Sequence, residues 1–227
     1  MSAFINKDFY DEREIEYIFN LIKLIEIFQK NDMEYVELQN QFIDVFFTAL
    51  GARDAYTKEH SNRLSFLARE ICRKLKLPPV EIKKVAMAAK LHDIGKIGIS
   101  DAVLLKPSKL TDEEFDEIKK HPAIGCDMLK SISIFSHISD YILYHHEKFD
   151  GSGYPKKISS EDIPLGARII SVVDTVDAIL TKRSYKEPKP VEYAISELNK
   201  FSGTQFDPMV AKFAVKVILE NKDVFKI

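Results

Sequence analysis

The stretch VEIKKVAMAAKLHDIGKIG, residues 80–98, decides how this chain is read. From Val80 to Leu91 it is rich in apolar residues and free of glycine and proline, and Pro78-Pro79 stands before it. That pattern predicts a helix running into His92. Gly95 and Gly98 then loosen the backbone. The helix therefore delivers a histidine and a carboxylate, His92 and Asp93, and both side chains are metal ligands. Neighbouring side chains on a helix point about 100° apart, so one cannot double the other. They can, however, bind one ion and bridge to a second. Lys96 returns to the same helical face. A lysine beside a ligating carboxylate is sensible if it contacts a substrate phosphate. The plain alternative is a capped helix end with a surface His-Asp pair.

Working outward, the pattern stays helical. Residues 12–50 contain Ile15, Ile18, Phe19, Ile22, Ile25 and Phe28 at three-to-four spacing, with Glu16, Lys23, Glu26 and Lys30 between them. This segment reads as an amphipathic helix on its own domain, with a dimerising coil as the alternative. Asn31-Asp32 could divide it. Residues 57–77 form a further helix, closed by Pro78-Pro79. Thr111 with Glu114 three residues on forms a capping box for a helix to about residue 120. His121-Pro122 begins the next, and residues 124–134 and 138–146 continue the pattern. Residues 150–164, rich in glycine, serine and proline, are irregular. Helices then cover 165–181, 191–201 and 208–220. No alternating strand pattern and no fixed repeat occurs, so the expected fold is all-α.

The chain has 227 residues, 45% of them apolar and 30% charged, enough for a substantial core without staples. Net charge is −2, so no global basic field draws a DNA or RNA polymer. A phosphate-ester substrate would need local positive charge, and metal ions would be its source. Cys72 and Cys126 show no CxxC spacing and read as small buried apolar residues, in keeping with a reducing cytoplasm. The first residues have neither a basic n-region nor an apolar h-region, so no secretory signal is expected. No apolar run approaches the roughly 20 residues of a membrane span. Phe42 to Phe47 is short, and Asp44 interrupts it.

Five of the six histidines, all but His137, stand where a metal site would want them. His145 and His146 are adjacent at an apolar helix end and run into a glycine-rich loop; the alternative is a solvated helix terminus. His60 by itself reads as a surface residue, and His121 before Pro122 as a turn residue. Asp174 and Asp177 lie three apart in the apolar helix IISVVDTVDAIL, on one face. Carboxylates buried there cost several kcal/mol unless paired or metal-bound. The alternative to metal is pairing with arginine, Arg168 or Arg183. Arg183, Tyr185 and Lys186 form a basic cluster suited to phosphate, or simple surface charge. Together the set suits two metals about 3.5–4 Å apart that share Asp93 and a hydroxide, with Lys96 and Arg183 stabilising charge as the hydroxide attacks phosphorus. Mixed histidine and carboxylate donors suit iron, manganese or zinc better than magnesium.

The ordered motifs RDAYTKEHSNR, LHDIGKIGIS, HPAIG, HHEKFDGSGYP, IPLGARIISVVDTVDAIL and RSYK resemble the HD-GYP domain of the HD superfamily. The resemblance covers about residues 50–213, and residues 203–208 are similar to that family's closing helix pair. With the domain taken as 50–227, residues 1–49 read as a helical extension ahead of it. The resemblance implies a cytoplasmic bacterial signalling enzyme that hydrolyses cyclic di-GMP to the linear dinucleotide pGpG, and in many members on to GMP. By motif match, His60, His92, Asp93 and Asp174 would hold one divalent ion. Asp93 would bridge to a second held by His121, His145 and His146. Iron or manganese is expected, with zinc, nickel and cobalt as further candidates. Lys96, Arg183, Tyr185 and Lys186 match positions near the substrate. Asp150, Gly151, Gly153, Tyr154 and Pro155 form the loop that names the family, which shapes the site or docks GGDEF-type partners. Some members carry a glutamate four residues before the first histidine and bind three metals; Tyr56 stands there here, so two are expected. Ser100 replaces a common proline. A receiver or sensor domain often precedes this domain, so the chain is either a stand-alone enzyme or part of a longer protein. A homodimer through the N-terminal helices also fits. The competing readings are an HD phosphohydrolase of another nucleotide and a catalytically silent receptor or docking module.

Overall fold

The computed structural model describes residues 41–43, 45–46, 58–181 and 187–221. Most of the expected N-terminal helix and its dimer coil, Tyr56, and the cluster Arg183, Tyr185 and Lys186 lie outside the described residues.

The helices are α1 (Lys58–Lys74), α2 (Pro79–Leu91), α3 (Asp101–Leu104), α4 (Asp112–Ile118), α5 (His121–Lys130), α6 (Ser139–Leu143), α7 (Leu165–Leu180), α8 (Val191–Lys200) and α9 (Pro208–Glu220). A 3-10 turn, Ile94–Gly98, joins α2 to α3. Among the described residues there is no strand, only an isolated bridge between Ser202 and Phe206, and the all-α expectation holds.

Boundaries follow local chemistry. Lys76 takes a left-handed conformation just past α1, so that helix stops before the residue 77 expected from sequence. Pro79 occupies the first turn of α2, where its missing N–H costs nothing. The Thr111–Glu114 capping box is present, with each residue's side chain accepting from the other's backbone N–H. Asp207 caps α9 by accepting from the N–H groups of Met209 and Val210, at 2.7 and 3.1 Å. Two expectations are corrected. Helix α5 ends at Lys130, because residues 131–135 close into turns. Helix α6 ends at Leu143, which puts His145 and His146 in the turn after it.

The core forms where α1, α2 and α7 meet, with α6, α8 and α9 packed around them. Helix α7 is buried on nearly every side through Ile169, Ile170, Val172, Val173, Val176, Ile179 and Leu180. Phe42, Ile43 and Phe46 join the same core, and the Phe42 ring lies 5.3 Å from that of Phe135. Cys72 and Cys126 are buried free thiols, as expected, and burial pushes Cys72 up to about 12. No helix among the described residues is long and apolar enough to cross a membrane.

Candidate metal centre

Where α2 ends, His92 keeps helical geometry and Asp93 does not, with φ −95° and ψ 7°. That bend turns both side chains inward. The 3-10 turn then packs against the start of α5. At Gly95 a Cβ would stand 1.9 Å from the carbonyl oxygen of His121, so only glycine permits this approach. The Gly-x-x-Gly frame around Lys96 is thus a packing seam that brings Asp93 to His121.

Two groups of donors result. One comprises Asp93, His121, His145 and His146, and the other His60, His92 and Asp174. Within each group the ligand atoms all lie within 4.8 Å of one another. Asp93 connects the two: one oxygen stands 3.2 Å from His92 Nε2, the other 3.3 Å from His121 Nε2. Asp174 lies 3.9 Å from His92 Nε2. Lys96 places Nζ 3.0 Å from Asp93. His137 sits on the surface, outside both groups.

Ring orientation is set from behind. The Nδ1–H groups of His92, His121 and His145 each donate to the backbone carbonyl three residues back, at 3.0, 2.7 and 2.6 Å. A carbonyl only accepts, so Nδ1 carries the proton and Nε2 keeps its lone pair for the centre. His60 uses a carboxylate instead, donating from Nδ1 to Asp177 at 2.6 Å. Asp177 is fully buried and also accepts from Arg63 Nε at 2.6 Å and from Thr181 at 3.2 Å. Asp174 and Asp177 therefore divide their work, one toward the centre and one behind His60. Of the two arginines offered as alternative partners, Arg168 pairs with Asp207 instead and Arg183 lies outside the described residues, while Asp177 pairs with Arg63.

The electrostatics fit cations. Burial would raise the Asp93 carboxyl, but His92, Lys96 and His121 outweigh it and hold Asp93 well below the usual range. Burial opposes charge on His92, yet Asp93 wins and raises it. The positive charge drawn to that ring is what a metal would supply. Burial and neighbouring rings push His145 well below the ordinary imidazole range and His146 to about 4, so both are neutral donors near pH 7. The donor set therefore fits metal ions.

The loop expected to be irregular folds back onto this centre. Gly153 packs so closely on residues 146–148 that a Cβ would meet backbone at 2.3–2.6 Å. Tyr154 donates its N–H to His146 O at 3.2 Å, and its ring stacks on the His146 ring, centroids 4.9 Å apart. Asp150 is exposed and accepts from Ser152 N at 2.8 Å, and Gly151 has φ +82°. The Tyr154–Pro155 peptide is cis. Residues 204 and 205 grip the loop by accepting from Asp150 N and Phe149 N.

Two contributors, Arg63 and Glu147, were missed from sequence. Arg63 follows His60 by three residues, and that one-face spacing was a usable signal. Glu147, next to the histidine pair, is buried and bonds the loop. Asp177 was singled out, but its histidine partner was not.

The HD domain family profile matches residues 45–210. The chain belongs to the HD domain family. It is 36% identical over 195 residues to a cyclic di-GMP phosphodiesterase of Thermotoga maritima, covering 85% of this chain and 53% of that one. It is 41% identical over 177 residues to the cyclic di-GMP phosphodiesterase response regulator RpfG of Xanthomonas campestris, covering 77% and 47%. It is 33% identical over 215 residues to the 3'3'-cGAMP-specific phosphodiesterase 2 of Vibrio cholerae, covering 89% and 40%. The chain thus spans about half the length, or less, of these relatives. Among solved structures, a cyclic GMP-AMP phosphodiesterase of V. cholerae superposes with a TM-score of 0.63 at 20% identity, over 82% of this chain and 50% of that one. That likeness concerns the fold.

Proposed function

We propose that this chain is a metal-dependent phosphodiesterase that opens cyclic di-GMP to the linear dinucleotide pGpG. The observation that supports this best is Asp93, whose two oxygens face histidines of both donor groups at 3.2 and 3.3 Å. His60, His92 and Asp174 would hold one ion and His121, His145 and His146 the other, with Asp93 between them. Iron or manganese suits these donors, with zinc, nickel and cobalt as alternatives. Bound there, two such ions supply Lewis-acid charge and an acidified water for attack on phosphorus.

The chain's own groups do the rest. Lys96, 22% exposed and held beside Asp93, offers its ammonium to a phosphate oxygen. Arg183, Tyr185 and Lys186 belong to the substrate side of the proposal. The proposal also takes residues 1–49 as a helical extension for signalling or pairing with a second copy, GGDEF-type partners at the Gly153–Pro155 loop, and a cytoplasmic setting. A second reading, hydrolysis of 3'3'-cGAMP, is favoured by the V. cholerae relative of that specificity.

The test is anaerobic purification with metal analysis, then a product time course on both cyclic dinucleotides. The expected result is two ions per chain and faster loss of cyclic di-GMP, with Asp93→Ala losing both metal and turnover. An Asp93→Ala variant as fast as the parent, or a metal-loaded parent without product, overturns the proposal.

A further inference from the structure

The rings of the centre are not all oriented in the same way. His92, His121 and His145 take a backbone carbonyl behind Nδ1, and His60 takes Asp177. The His146 ring instead lies against the His145 and His121 rings and is stacked on Tyr154, with planes 27° apart. A stack fixes a ring only if the partner ring is itself fixed, so the anchorage of Tyr154 matters.

That anchorage leads to Glu147. Its side chain is 2% exposed, and Oε1 accepts from the backbone N–H of Lys156 at 2.6 Å and of Lys157 at 2.9 Å. Oε2 is buried and finds no hydrogen-bond partner among the described residues. Leaving a buried carboxylate half satisfied is costly, so what the other oxygen secures must outweigh it. It secures the far end of the loop, while Gly153 and the Tyr154 N–H secure the near end against residues 146–148.

We propose that Glu147 is a latch that holds residues 153–157 against the histidine turn, and that Tyr154, so placed, positions His146 for its ion. Glu147 touches neither metal nor substrate and acts through the loop. The inference rests on the metal-centre reading above and extends it to the loop.

The experiment uses the full chain, as the parent and as Glu147→Ala, Glu147→Gln, Tyr154→Ala and Tyr154→Phe. Two readouts need no substrate. One is bound metal per chain after equilibration with a fixed chelator concentration. The other is trypsin cleavage after Lys156 and Lys157, whose side chains are exposed while their N–H groups are tied down. Glu147→Ala is expected to be cut at least about tenfold faster, because losing a charged acceptor for two N–H groups exceeds the difference that a factor of ten requires. It should retain about half the parent's metal. Glu147→Gln keeps an oxygen that accepts both N–H groups and should restore both readouts. Tyr154→Phe keeps the stack and the metal; Tyr154→Ala loses metal. Parental metal and cleavage in Glu147→Ala, or a Glu147→Gln as impaired as Glu147→Ala, would overturn the latch. If Glu147→Ala does not fold, the Tyr154 pair decides: equal metal in both variants overturns the positioning role. A parent that binds metal but turns over neither dinucleotide sinks the proposed function alone, since the latch readouts stand without substrate.

Discussion

Replacing Asp177 with asparagine preserves volume and removes the charge behind His60. Asp177 is fully buried and offers one oxygen to Arg63 Nε and the other to His60 Nδ1, each at 2.6 Å. An amide has one oxygen and one NH2, and every neighbour here is a donor. If the NH2 faces Arg63, two donors oppose each other. If it faces His60, the proton moves to Nε2, and the nitrogen meant for the centre can no longer ligate. Breaking a buried, hydrogen-bonded pair from one side costs about 3–5 kcal/mol, and loss of a carboxylate behind a ligating histidine costs about 10–100-fold in metal affinity. Arg63 is 23% exposed, so solvent relieves part of the first cost. The checks are urea unfolding of metal-free protein and metal competition against a chelator. Two outcomes are expected together: a lower midpoint, and loss of the ion held by His60, His92 and Asp174 before the other. The charge also sets an acid limit. The bonds from His60 and Arg63 hold the Asp177 carboxyl below its ordinary value despite burial. Its stabilisation is therefore full above the unfolded value of about 4 and is lost as pH falls through the lower folded value. An Asp177→Asn protein with parental metal affinity and the parental acid transition would refute this account of His60.

Other expectations are equally concrete. Gly95→Ala forces a Cβ to 1.9 Å from His121 O, so the seam between the 3-10 turn and α5 must open; thermal unfolding should show a loss of at least about 1–3 kcal/mol, and bound metal should fall. Lys96→Met removes the ammonium beside Asp93 and should lower turnover about a hundredfold while metal content, measured on the same sample, stays close to parental. Burial and neighbouring rings depress His146 to about 4 in the metal-free protein. The unfolded chain therefore takes up protons first as pH falls from about 6.5, and metal-free stability should decline between there and pH 4. His146→Asn should flatten that decline in urea titrations across the range.

The all-α fold was legible because helical periodicity and caps are local. Thr111 with Glu114, and Pro79 in the first turn of α2, can be read without the rest of the chain. The histidines of the centre were legible as a set through the order of the motifs, since His60 alone reads as a surface residue and His121 as a turn residue. The ends of α5 and α6 were misjudged because apolar residues such as Ile132, Ile134 and Phe135 continue into turns that bury them equally well. Burial alone does not separate helix from turn.

What sequence could not supply is contact between distant segments. Asp177 meets His60 across 117 positions and Arg63 across 114, and nothing in α7 announces which arginine will arrive. Arg168, on the same helix, was nearer in sequence but is taken by Asp207 at the cap of α9. The same separation explains the two kinds of histidine in the centre. Rings held by a carbonyl three residues back need only local sequence to be correct. His60 depends on the packing of α1 against α7, and His146 on the loop that Glu147 secures. Disturbance of the fold at a distance should therefore reach the centre through His60 and His146 before it reaches His92, His121 or His145. These two rings fall in different donor groups, so each group has one ligand exposed to the state of the surrounding fold.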